Sequence, residues 1–220
     1  MCKSLTSFAR IEETDRILLI KHGFLDLKLI RSLKYYDYKQ GGWAMNMEDG
    51  NTKVVSIEST KLLPNNAYIF YRQFFNDISQ EWESDPIILD LLTAIILFNP
   101  DRPKLVNSTM IKFQQHKYMY LLQRYLLMRY KYHDMMRSKF TKLIQYATDV
   151  AILTQINQHI FKNVGPQHDP GNHVHFIITH VGGHKGHQPF GQPVIGVNPI
   201  LLTRIGGQVW PRNGNGVLNK

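Results

Sequence analysis

Between Asp15 and about Tyr36 the chain reads DRILLIKHGFLDLKLIRSLKYY, and its apolar residues cover most of a helix circumference instead of one stripe. A surface helix needs only one dry face, so this one is predicted to be central and largely buried. At 220 residues and 43% hydrophobic, the chain can bury one sizeable core, and one main domain is expected.

Two charges interrupt that buried helix. Asp26 shares a face with Leu19, Gly23 and Ile30, while Arg31 continues the stripe of Ile20, Phe24 and Leu27. An unpaired buried ion is costly, so each should have a partner. The corner ILFNPDRPKL, residues 96 to 105, holds Asp101 and Arg102 between Pro100 and Pro103. Arg102 on that stiff loop is expected to pair with Asp26 and tie the corner to the central helix; the plainer reading leaves both solvated. For Arg31 a structural bridge to a core acid competes with a role anchoring the polar end of a greasy small molecule. His159 follows Ile152 and Ile156 on the last helical stripe, where a histidine is more often core than ligand contact.

The remaining elements follow from period and punctuation. Cys2, Leu5, Phe8 and Ile11 recur on one helical face without an N-cap before them. Trp43, Met45 and Met47 alternate with Ala44 and Asn46, the Asp49-Gly50 turn follows, and Val54 to Ile57 can return as a partner strand. Asp85 caps a helix with Pro86 at its first position, running to Phe98. Asn107 or Ser108 opens a helix to about Tyr130, and another spans roughly Arg137 to Phe161. Beyond Val164 the chain holds eleven of its fifteen glycines, six of its ten prolines, six of its ten histidines and one acid, Asp169. Residues 165–220 are therefore predicted to be an irregular tail.

Composition narrows the function. Cys2 is the only cysteine, which excludes an internal disulfide framework and a cysteine-rich zinc finger. No secretory signal opens the chain, and the longest greasy segment, PIILDLLTAIILF, contains Asp90, so an intracellular chain without a membrane span is expected. No nucleophile elbow, phosphate loop or metal-ligand pair of sound spacing is present; an enzyme and a cofactor are not expected. His173, His175, His180, His184 and His187 form a tract of metal-ligand type, but its spacing is irregular and no carboxylate or cysteine supports it. The formal charge of +9 suits a nucleic-acid partner or a groove for acidic peptides. Basic residues between Lys112 and Lys142, interleaved with Tyr118, Tyr120, Tyr125, Tyr130 and Tyr132, would serve phosphate contact and stacking. A solvated face with tyrosines partly in the core is the plainer account and is preferred.

The stretches SFARIEETDRILLIKHGFLDLKLIRS and NPDRPKL resemble two motifs of nuclear hormone receptor ligand-binding domains. The first is similar to the third-to-fifth helix region, the second to the Pro-Asp-Arg-Pro-Gly-Leu corner between the eighth and ninth helices. The order of both, the hairpin between them and the long penultimate helices agree over residues 1 to 164, closest to the branch of vitamin D and xenobiotic receptors with arthropod orphan members. Arg16 stands where glutamine is usual and Lys104 where glycine is usual. The likeness begins within the third helix, so a domain truncated at both ends is expected, without a DNA-binding domain.

That resemblance implies an all-α, three-layer helical sandwich with one small β-hairpin. It also implies a lipophilic, sterol-like or xenobiotic ligand, met by Arg31 at a hydroxyl, by Trp43 on the hairpin, by Phe24 and Leu27, and by His159 at the far end. Lys3 and Lys21 match the lysines edging the family's coactivator groove, where a Leu-x-x-Leu-Leu helix docks. Residues 139–156 correspond to the surface for a heterodimer partner of retinoid-receptor type, and the place of action would be the nucleus. The family's closing helix carries a glutamate that residues 165–220 do not supply, so activation by ligand is expected to be defective.

Overall fold

The computed structural model describes the backbone of residues 6–46, 50–62 and 66–163, and the side chains of 6–44, 50–61 and 66–155. Six helices and a three-stranded sheet make up this part: α1 (Thr6–Ala9), α2 (Glu13–Ser32), β1 (Tyr36–Asp37), β2 (Gly42–Asn46), β3 (Thr52–Ser56), α3 (Ala67–Trp82), α4 (Pro86–Leu97), α5 (Ser108–Arg129) and α6 (His133–Asn163). α1 stops at Ala9, so Ile11 reaches the core from a turn whose amide bonds Phe8 O at 3.2 Å, not from the helix that its spacing predicts.

The central helix ends earlier than its apolar pattern. Ser32 turns its hydroxyl back to Leu29 O at 2.7 Å, Leu33–Tyr35 tighten into a 3-10 turn, and Tyr36 begins a strand. Ring packing accounts for this change of period: Tyr36 lies 5.2 Å from Trp43 and 4.9 Å from Phe75 by ring centroids. The predicted hairpin thus gains a third strand, in antiparallel order β1-β2-β3 with Tyr36 opposite Trp43 and Trp43 opposite Val55. Gly42 is needed where β2 and β3 approach, because a Cβ there would lie 2.6 Å from Val55 O.

Caps set the helices that follow. Asp85 accepts from Ile87 N at 2.8 Å and Asn107 from Met110 N at 3.0 Å, starting α4 and α5 at the predicted places. Patterning singles out no helix between the hairpin and Asp85, yet α3 forms there and buries Tyr71, Phe74, Phe75, Ile78 and Trp82. α6 starts at His133, one turn before the predicted position. α4 is buried from Ile88 through its last turn and packs on α2, α5 and α6; α2 packs also on α6, and α3 on α6 and the 3-10 segment Ile57–Leu62. α2 and α4 therefore occupy the inside of the predicted all-α sandwich.

At the α3–α4 corner Glu83 and Ser84 both take left-handed backbone, each with φ of 55°. Side-chain bonds offset that strain. Glu83 receives Arg129 Nη2 at 3.0 Å, the Tyr130 hydroxyl at 2.9 Å and Lys139 Nζ, while Asp85 receives the Tyr125 hydroxyl at 2.6 Å and Arg129 Nη1. Burial pushes the Glu83 carboxyl up, but the bonds from Lys139, Tyr130 and Arg129 outweigh it and hold the group below the usual carboxylate range.

Lys104 is also left-handed, with φ of 65°, at the position where the resembling family carries glycine. An L side chain there strains the backbone, and Lys104 is exposed. Lys104→Gly is expected to stabilise the protein by about 1 kcal/mol. Thermal melting reads this as a higher Tm; a lower Tm would show that the lysine side chain outweighs the strain.

Candidate functional site: the buried helix, the proline corner and the sheet

Asp26 lies in mid-α2, only 3% exposed, with both carboxylate oxygens engaged. Arg102 Nη2 donates to Oδ2, and the Thr154 hydroxyl from α6 donates to Oδ1. The guanidinium lies over Gly23, where a Cβ would sit 3.4 Å from Arg102 Nη2, so larger side chains at Gly23 would displace it. The corner carrying Arg102 is itself shaped by Asn99, whose Oδ1 accepts from Asp101 N at 2.9 Å.

A second carboxylate of α2 grips the other end of that loop. Asp15 is fully buried and accepts from Val106 N at 2.7 Å and Asn107 N at 2.9 Å, just before α5 begins. Asp15 belongs to no functional motif, although it lies on the face of Leu19, Gly23, Asp26 and Ile30 and so carries the same signal as Asp26. Together these two acids fix the corner against the central helix at both ends.

Arg31, one turn further along, meets a core acid: its Nη1 lies 2.5 Å from Oδ1 of Asp90 on α4. Leu27 is buried, and Phe24 is half-buried beneath Lys28 Nζ, 5.6 Å from its ring centroid. Trp43 is 1% exposed, yet its indole Nε1 has no hydrogen-bond partner among the described residues. Beside it the Tyr36 hydroxyl donates to Asn76 Oδ1 at 3.0 Å, and burial pushes Tyr36 up to about 12. α2 thus carries Phe24, Leu27 and Arg31 along one stripe, while Trp43 sits in the ring cluster of the sheet and α3.

Lys21 is exposed, and Ile17 one turn before it is exposed as well. Lys3, the His159 side chain and the histidine tract lie outside the described residues; the backbone of His159 belongs to α6. On the predicted dimer face, Lys139 turns inward to Glu81 at 3.5 Å and to Glu83, and Leu143, Val150, Leu153 and Thr154 are buried in the domain itself. Tyr118 is buried with its hydroxyl 2.6 Å from Ser7 Oγ, and Tyr125 and Tyr130 are held by Asp85 and Glu83, which removes them from a base-stacking set. Among the described residues no group of His, Cys, Asp and Glu could hold a metal, and no helix is long and apolar enough to cross a membrane.

This fold, a buried helix bound to a proline corner with a small sheet beside it, is consistent with an all-α nuclear receptor ligand-binding domain. The chain is homologous to nuclear hormone receptors. It is 29% identical over 166 residues to nuclear hormone receptor HR96 of Drosophila melanogaster, covering 76% of this chain and 23% of that protein. It is 27% identical over 173 residues to the ecdysone receptors of Drosophila melanogaster and Lucilia cuprina, covering 70% of this chain and 17% and 20% of theirs. The chain thus spans less than a quarter of the length of these relatives. No family model matches it. Relatives that are receptors agree with the expectation of a non-enzyme.

Proposed function

We propose that the chain is the ligand-binding module of a ligand-regulated transcription factor acting in the nucleus, with a sterol-like or xenobiotic molecule as ligand. Trp43 carries the reading. A buried donor left without an acceptor costs about 1–3 kcal/mol, and a ligand oxygen at Nε1 would recover that loss. Arg31, neutralised by Asp90, would meet a ligand hydroxyl from the same stripe of α2 as Phe24 and Leu27. Phe24 and Leu27 supply apolar walls and His159 the far contact, in keeping with a mostly apolar pocket with few polar anchors.

Ile17 and Lys21 would take a Leu-x-x-Leu-Leu helix, with Lys3 at the groove's other side. The heterodimer partner of retinoid-receptor type would meet the outward side chains of 139–156, such as Thr141, Gln145, Thr148 and Ile152, since Lys139 is turned inward. Residues 165–220 contain no glutamate that would complete the coregulator clamp.

Displacement of a fluorescent lipophilic probe by a sterol panel tests the reading. At least one sterol should displace the probe, and Trp43→Phe, which keeps a ring and removes the N–H, should weaken it by about tenfold. A panel without any competitor, or an unchanged variant, would contradict the proposal.

A further inference from the structure

α5 buries Ile111, Gln114, Tyr118, Leu122 and Leu126 against the domain, yet it carries a second apolar stripe that the described residues leave uncovered. Met110, Phe113 and Tyr120 are 43%, 64% and 57% exposed. With Lys117, Arg124 and the partly buried Leu127 they repeat in alternating steps of three and four: Met110, Lys117 and Arg124 at one heptad position, Phe113, Tyr120 and Leu127 at the other. That is the spacing of a seam on which another helix packs. Contiguous apolar surface left exposed marks sites of interaction.

The charge of the seam selects its occupant. α5 has no aspartate or glutamate in its 22 residues, and Lys112 and His116 stand exposed beside the stripe. A second copy of this chain would set Lys117 against its own kind, which works against self-association. We infer that the outer face of α5 docks an acidic amphipathic helix of another protein, its apolar residues packing on Met110, Phe113 and Tyr120 and its carboxylates meeting Lys117. The site is separate from the lipophilic pocket and does not depend on it. Charge complementarity would speed encounter and set the register, while the aromatics would supply most of the contact energy.

A labelled three-heptad peptide with leucine at the two seam positions and glutamate at the flanking ones tests this on the full chain by fluorescence anisotropy. Binding should saturate and weaken with salt. Phe113→Ala with Tyr120→Ala should lower affinity by about tenfold or more, and both sites are exposed enough to leave the far-ultraviolet circular dichroism unchanged. Lys117→Glu should weaken the acidic peptide and strengthen a version with lysine at the flanking positions. The proposal fails if the peptide does not saturate, if a neutral peptide binds equally well, if the charge swap does not restore binding, or if a duplex oligonucleotide competes the peptide away.

Discussion

Replacing Asp26 by asparagine is expected to lower the unfolding free energy by about 3–5 kcal/mol, the usual cost of removing one partner of a buried ion pair. The cause is what remains behind. The Arg102 side chain is 11% exposed and pressed over Gly23, so after the change a guanidinium stays in the core without a counter-charge, and Thr154 bonds a weaker acceptor. Urea denaturation reads the loss as a lower midpoint at an unchanged slope. Asp101→Asn, at the exposed neighbour in the same corner, should stay within about 0.5 kcal/mol of the parent. Equal effects at both positions would mean that the corner is held by something other than the pair.

Asp15→Ala is the second large effect, about 1–3 kcal/mol, because the backbone amides of Val106 and Asn107 both lose an acceptor that is itself fully buried. Its signature is local as well as global. Hydrogen exchange at those two amides should accelerate far more than at the core of α4, since they close the loop that leads into α5. Asp15→Asn, which keeps one acceptor oxygen, should lose less. Amide protection unchanged in the alanine variant would contradict the assignment.

The contrast between these two acids shows what the amino-acid sequence makes legible. Asp26 stands out because a charge on an apolar helical face needs a partner, and a guanidinium locked between prolines has few places to go; the structure puts Arg102 on it. Asp15 lies on the same face, but its partners are backbone amides, and those carry no residue signature. For Arg31 a bridge to a core acid was one of two expectations, and that the acid is Asp90 depends on how α4 crosses α2, which periodicity does not encode.

Local signals found α4 and α5, whose caps and proline act within a single turn. They missed β1, because Tyr36 leaves helical geometry for ring contacts with Trp43 and Phe75 made only in the folded chain. The resemblance, not a local signal, put Lys139 on the partner-facing surface, and the left-handed corner at Glu83 draws it inward. The roles of Arg31, Trp43 and His159 toward a ligand came from resemblance, and the physical observation beside them concerns Trp43 alone, whose indole has no hydrogen-bond partner among the described residues.

A double-mutant cycle between Asp26 and Arg102, using asparagine and methionine and read by equilibrium unfolding, reaches the organising idea most directly. A coupling of about 2 kcal/mol or more is expected, with the double variant recovering part of what either single change loses, since it leaves no buried charge alone. Additive losses, with no coupling between the two positions, would contradict the view that the proline corner exists to neutralise a carboxylate in the middle of the fold.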